Sequence, residues 1–271
     1  MHRPPEPQRG HSVSTDTFVA QPSTAVAHDR RGGRPLAPRR EAVRLQLLGS
    51  FRLTVDDAEI PIPAPAQRLL VLLALRRDRL VRSFAAGLLW LDLPEERAGA
   101  NLRSVLWRLR SLRISIVDTR HGIVGLLPDV AVDLYESTAL AHRWLAGTET
   151  ARDVAGGSGT LEGELLPDWY EEWVTDERDR YRQLRVHALE AVADRLAGAA
   201  RWGAAVQAAL AAVAADPLRE SAHRTVIRIY LAEGNVAEAI RQLRRCERLL
   251  IEEVGIRPSF DLDDLRPTPP R

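Results

Sequence analysis

Apolar and polar residues fall into no sustained period before Val43; from there the chain is patterned. Val43–Gly49 and Phe51–Val55 alternate as half-buried strands do, and Asp56-Asp57 turns the chain ahead of Ile60-Pro61-Ile62. These segments predict a small antiparallel sheet whose third strand Pro61, Pro63 and Pro65 confine to an edge. Beyond Pro65 the spacing becomes helical. A helix is expected over Ala66–Leu75 and a second over Phe84–Trp90, with Ser83 as its cap. Pro94 and Gly99 bracket a loop, and a third helix runs from about Ala100 to Leu112. Ile114–Thr119 and Ile123–Leu127 then make a hairpin about Arg120-His121-Gly122. Strands, three helices and a terminal hairpin are the parts of a winged helix, a helix-turn-helix with a β-wing.

A further amphipathic helix covers residues 130–146, and residues 147–160, GTETARDVAGGSGT, read as a flexible linker. From Trp169 to Val254 the pattern is almost wholly helical and repeats. With Pro217 as the closing proline of a 34-residue tetratricopeptide-type unit, Leu189, Val192, Ala193, Leu196, Ala205, Ala209 and Ala212 occupy its apolar and small positions. The same shift carries Val192 to Val226, Leu196 to Tyr230 and Ala205 to Ala239, and superposes the turns at 200–202 and 234–236. The second unit departs at its end, with Ile251 in place of proline. The expected fold is mostly α with small β elements. Its segments are a disordered basic tail (1–42), a winged-helix unit with a trailing helix (43–146), a linker (147–160), an all-α repeat domain (161–260) and a short tail (261–271). Stacked helix pairs commonly present a concave surface to a protein partner.

Charge separates the two halves. Residues 1–40 carry a net +4 and residues 41–146 a net +2, whereas residues 161–271 carry −4. Only the first half is therefore suited to a polyanion. All 38 basic side chains are arginine. The one cysteine, Cys246, rules out an internal disulfide framework and lies on an apolar helical stripe. The longest strongly apolar run, Leu69–Leu75, is too short to cross a bilayer, and residues 18–27 do not form a signal-peptide core, so a cytoplasmic location with no membrane partner is expected.

The third helix carries the sharpest chemistry. On a wheel of about 100° per residue, Leu102, Val105, Leu106 and Leu112 cluster within about 60° of Leu109. Opposite lie Ala100, Ser104, Trp107 and Ser111, flanked by Arg103, Arg108 and Arg110; from Arg97 to Val117 there are five arginines and no acid. A helix that enters the major groove needs one anchoring stripe. Its other side must offer bidentate donors to guanine edges and phosphates, with small hydroxyls allowing close approach. Arg120 and His121 at the hairpin tip extend this candidate surface. A solvated amphipathic helix is the plainer alternative, and its position before the hairpin is what favours DNA. Trp107 is assigned a mixed role, between packing and contact with DNA or protein.

These residues resemble a known family. Phe84–Trp90 ending in Leu-Leu-Trp, the loop through Pro94, Asn101-Leu102-Arg103-Ser104-Val105-Leu106-Trp107-Arg108-Leu109-Arg110 and the hairpin resemble the OmpR-type winged helix, in the form found in the SARP (antibiotic regulatory protein) activators of actinobacteria. Leu165-Leu166-Pro167-Asp168-Trp169-Tyr170-Glu171-Glu172-Trp173-Val174 resembles the start of that family's bacterial transcriptional activator domain. Asp216-Pro217-Leu218-Arg219-Glu220 and Glu252–Pro258 resemble its later signatures. The chain departs from the family pattern at Asp56-Asp57, at Ala64–Ala66 before Gln67-Arg68, and at Arg82-Ser83. The resemblance implies sequence-specific binding to double-stranded promoter DNA, often at repeated sites, and activation through RNA polymerase, with a homodimer on DNA as one arrangement.

Other chemistry finds little support. Asp168, Glu171, Glu172, Asp176 and Glu177 sit at a helix start, where they complement the helix dipole in water. The seven histidines have no metal spacing, and there is neither a phosphate-binding Gly-Lys-Ser/Thr loop nor a nucleophile elbow. No cofactor, metal or catalytic role is expected. The alternative function is a protein-interaction scaffold with a degenerate winged helix.

Overall fold

Asp56 and Asp57 both adopt left-handed backbone, with φ of 47° and 66°, and so close a tight two-residue hairpin. In the computed structural model, which describes residues 42–112, 114–156 and 161–265, this turn joins β2 (Arg52–Val55) to β3 (Ala58–Glu59) with Val55 opposite Ala58. The third strand therefore forms earlier than the Ile60–Ile62 expected from the pattern, and the prolines end it. β2 also pairs antiparallel with β1 (Val43–Gln46). The sheet is completed in the order β3-β2-β1-β7 by a strand from far along the chain, β7 (Ala131–Val132), parallel to β1.

α1 (Ala64–Arg76) is buried without interruption from Leu69 to Ala74, the mark of a helix surrounded by structure. A short strand, β4 (Leu80–Val81), precedes α2 (Arg82–Leu89), which starts one residue before Ser83 and has no side-chain cap. α3 (Glu95–Ser111) begins directly after Pro94, not at Ala100, so Gly99 lies inside it and Glu95 and Glu96 form its first turn. β5 (Val117–Asp118) and β6 (Ile123–Leu126) form the hairpin about a single 3-10 turn, Arg120–Gly122, and β4 joins it to give the sheet order β4-β6-β5.

The segment expected as one helix over 130–146 divides into β7 and α4 (Asp133–Ala146). The Asp133 carboxylate accepts the amides of Leu47 at 2.9 Å and Leu48 at 3.0 Å, fastening α4 to the end of β1. Within the segment expected as a linker lies α5 (Ala151–Gly156), where Asp153 pairs with Arg143 of α4 at 2.8 Å. The chain continues in α6 (Glu172–Gly198), α7 (Trp202–Ala215), α8 (Glu220–Glu233) and α9 (Val236–Glu253).

The 34-residue repeat is present in the backbone itself. Ala200 and Gly234, 34 residues apart, both take positive φ, and Arg201 and Asn235 after them have φ/ψ of −87°/61° and −90°/63°. Arg201 N–H donates to Leu196 O as Asn235 N–H does to Tyr230 O, at 2.9 and 2.7 Å. Buried Val192, Ala193, Ala205 and Ala212 are matched by buried Val226, Ile227, Ala239 and Cys246. At two core positions a buried apolar residue gives way to a polar one. Leu189 and Ala208 of the first are His223 and Gln242 in the second, buried and hydrogen-bonded to each other at 2.8 Å.

All described residues belong to one compact unit. α6 is the reason. Its first half places Val174 and Tyr181 in the core formed by the sheets and α1–α3, together with Leu165 and Leu166, while Val186 to Leu196 enter the core shared with α4, α7 and α8. Leu48 bridges Leu165 across the junction. Arg178 donates to the carbonyls of Leu165, at 2.8 Å, and of Leu166 and Trp169. At the other end, Phe260, Leu262 and Leu265, expected to belong at or beyond the domain edge, pack on the core of α8 and α9. The basic tail, apart from Ala42, and residues 266–271 lie outside the described residues.

Candidate nucleic-acid interface

The anchoring stripe of α3 is Ala98, Leu102, Val105, Leu106 and Leu109, each no more than 5% exposed. Full burial of a leucine or valine contributes roughly 1.5–3 kcal/mol, so these residues fix which side of α3 faces outward. On the other side Ala100, Arg103, Ser104, Trp107, Arg108, Arg110 and Ser111 are all exposed, as is Arg97 one turn before. Trp107 is 69% exposed, so its ring lies largely open. Arg103 and Arg110 border this surface on one side and Arg97 and Arg108 on the other, with Ser104, Trp107 and Ser111 between them.

Their donors differ in availability. Arg97, Arg103 and Arg108 have no ion pair among the described residues. Arg110 instead donates to the Thr119 hydroxyl, which ties α3 to the hairpin. The Ser111 hydroxyl is engaged with its own helix, donating to Arg108 O at 2.7 Å. Glu95 and Glu96 bring acid onto the helix, where they line a groove between α2 and α3 with Arg82 and Arg103.

The hairpin tip is built on Asp118. Its buried carboxylate accepts the Arg120 guanidinium at 2.9 Å through each oxygen, accepts the Arg120 amide at 3.1 Å, and pairs with Arg79 at 3.1 Å. These hydrogen bonds from Arg120, and then the nearby Arg79 charge, hold the Asp118 carboxyl far below the usual carboxylate range. Arg120 is raised in turn by Asp118. Gly125 makes room for this arrangement, because a Cβ there would stand 3.0 Å from Arg79 Cγ. His121 sits at φ 55°, exposed at the tip, and Arg82 donates to Thr119 O.

The structure thus places all nine candidate residues on exposed surface and joins the helix to the hairpin through Arg110 and Thr119. It does not leave them equivalent, since Arg110, Ser111 and Arg120 already have internal partners. The supporting residues Asp118, Thr119, Arg79 and Arg82 were not anticipated. The Asp118-x-Arg120 spacing was the one local signal for any of them. Outside this surface, Cys246 is buried and its thiol is pushed up to about 11 by desolvation. Among the described residues no group of three or more His, Cys, Asp or Glu side chains is placed to hold a metal, and no helix is long and apolar enough to cross a membrane.

Comparison with known proteins gives a consistent picture. A family model described as the bacterial transcriptional activator domain matches residues 129–268, more than half of the chain, and so includes α4. Regulatory protein AfsR of Streptomyces coelicolor is 28% identical over 255 residues, spanning 89% of this chain but 26% of that protein. Transcriptional regulatory protein EmbR of Mycobacterium tuberculosis is 26% identical over 229 residues, spanning 78% of this chain and 59% of EmbR. A solved structure of Mycobacterium tuberculosis EmbR, in complex with a low-affinity phosphopeptide, superposes with a TM-score of 0.67 at 23% identity, covering 83% of this chain and 64% of that one. It shares the mostly helical fold with small sheets. The resemblance read from Leu165–Val174 and the later signatures is thereby borne out: the chain belongs to the bacterial transcriptional activator domain family.

Proposed function

We propose that this protein is a transcription regulator that binds specific promoter DNA through α3 and the β5–β6 hairpin, and acts on RNA polymerase through or beside its helical repeat. In this reading β1–β6 and α1–α3 form a winged helix, α3 lies in the major groove, and Arg97, Arg103 and Arg108 supply the free donors. Ser104 and Trp107 lie closest to the bases, Arg110 and Ser111 orient the helix, and Arg120 and His121 meet the backbone beside it. The observation that carries the reading is the exposed side of α3: arginines on both borders, no ion pair on three of them, and a leucine stripe fixing the helix from behind. Activation, and the use of repeated sites by two copies, are carried into this reading by the family resemblance alone.

Arg103→Ala with Arg108→Ala should weaken the specific shift of a promoter fragment, recovered by chromatin immunoprecipitation from the host, by at least about tenfold, while circular dichroism stays unchanged. An unaltered shift would remove α3 from the interface. The polymerase role requires the intact chain, because truncation at residue 161 would strip Leu165, Leu166, Val174 and Tyr181 from the first core. Recruitment of purified polymerase to promoter DNA by the full-length protein is the expected result.

The scaffold alternative draws on two observations, the acids Glu95 and Glu96 on α3 and the engagement of Arg120 by Asp118. A scaffold would bind DNA weakly or not at all at every salt concentration.

A further inference from the structure

The segment leading into α6, residues 165–173, places most of its large side chains in holding the molecule together, but not Tyr170. Leu165 and Leu166 are fully buried, Trp169 packs on Phe51 at 6.2 Å between ring centres, Glu171 pairs with Arg68 at 2.9 Å, and Trp173 is half-buried against the same core. Tyr170 is 87% exposed. Its position follows from the turn before it, where Leu166 takes φ 43° and its carbonyl accepts the Trp169 amide at 3.1 Å. That turn sends Trp169 inward and the next side chain out. Tyrosine and tryptophan side by side at a surface are among the residue types enriched in binding hot spots.

The surroundings define what it would bind. Tyr170 and Trp169 line an open cleft of about 540 Å³ with Gln67, Arg68, Asp168 and Glu171. Asp168, Glu172 and Asp176 are exposed and have no ion pair among the described residues, whereas Glu171 already has Arg68. An open phenol sharing a cleft with the unpaired Asp168 carboxylate, with Glu172 and Asp176 exposed on the first turns of α6 that follow it in the chain, is complementary to guanidinium groups, which stack on aromatic faces and fork onto carboxylates. A polyanion is repelled by the same carboxylates.

We propose that Tyr170, the edge of Trp169 and the carboxylates of Asp168 and Glu172 form a docking surface for an arginine-bearing extended segment of a protein partner. Its carboxylates come from the acidic half of the chain, Gln67 and Arg68 of α1 also line the cleft, and the proposal does not depend on the reading of α3.

The test uses the full-length protein and a fluorescein-labelled 12-residue peptide with four arginines and two prolines, followed by anisotropy. Binding in the micromolar range is expected. Tyr170→Ala should weaken it at least tenfold, and Asp168→Asn with Glu172→Gln about fivefold, with unchanged thermal melting. A peptide with glutamine in place of arginine should not bind. Glu233→Gln with Glu253→Gln, exposed acids elsewhere, should leave affinity unaltered. Absence of binding below millimolar concentration overturns the proposal, as does equal weakening by the distant pair, which would mean unspecific attraction. A dimer that Tyr170→Ala dissociates in sedimentation would assign the surface to a second copy instead, and also overturns it.

Discussion

On α3 the guanidinium groups of Arg97, Arg103 and Arg108 have no acidic partner among the described residues, whereas in the helical half Arg178, Arg195, Arg219 and Arg228 pair with Glu164, Glu149, Glu190 and Asp194. The second group fixes the structure: Arg178 alone closes three carbonyls at the junction of the two cores. The first group fixes nothing within the described fold. The contrast lies between these two sets of side chains and not between whole halves, since Arg244, Arg245 and Arg248 of α9 also have no ion pair among the described residues. Only unused donors are available to an anionic partner.

Of the substitutions that probe structure, Arg178→Ala should have the largest effect. The side chain is 14% exposed, and its loss takes this donor from the carbonyls of Leu165 and Trp169 at the edge of the first core. A stability loss of about 3 kcal/mol in urea titration is expected, with the folded fraction still able to bind DNA. A loss under about 1 kcal/mol would mean that the junction does not rest on it.

The buried pair His223–Gln242 extends the comparison to pH. Burial lowers the His223 pKa below 6.5, Arg245 opposes protonation as well, and Glu220 and the bond to Pro217 O partly counteract this. The unfolded chain therefore takes up the proton first as pH falls. Stability should be fully present above about pH 6.5 and decline below it, toward the lower folded-state value. Replacing the pair with the residues of the first repeat unit, His223→Leu with Gln242→Ala, should remove this site's share of the decline in thermal melts between pH 7 and 5. An identical slope in the variant would exclude His223 as its source. The smallest effect is expected for Arg228→Ala. Its pair with Asp194 is about half exposed on both sides, so about 0.5 kcal/mol or less is at stake.

Much of this arrangement was legible in local spacing. The leucine stripe of α3, the hairpin and the 34-residue repeat each depend on periods that one segment carries by itself. The failures came where distant segments decide. β7 is two residues long and exists because it pairs with Arg44 and Leu45, almost ninety positions earlier. α6 joins two cores, so the boundary drawn at residue 161 passes through a packed junction. Pro94 followed by Glu95-Glu96 is a sound helix start, and α3 continues through Gly99, where the pattern predicts the end of a loop. At the site, exposure was readable from the wheel. The partner of Arg110 is not readable there, because it depends on how the hairpin folds beside the helix, whereas Arg120 pairs with Asp118 two residues away and Ser111 with its own helix.

The central claim, that α3 turns unused arginines toward DNA, is tested most directly by the salt dependence of affinity for promoter DNA in the wild-type protein and in Arg103→Ala with Arg108→Ala. Each neutralised phosphate contributes about 0.9 to the slope of log affinity against log salt. If both arginines contact phosphate, the slope should fall by about 1.8; if one reads a base, it should fall by about 0.9 and discrimination at one position should relax. An unchanged slope with unchanged affinity would contradict the account.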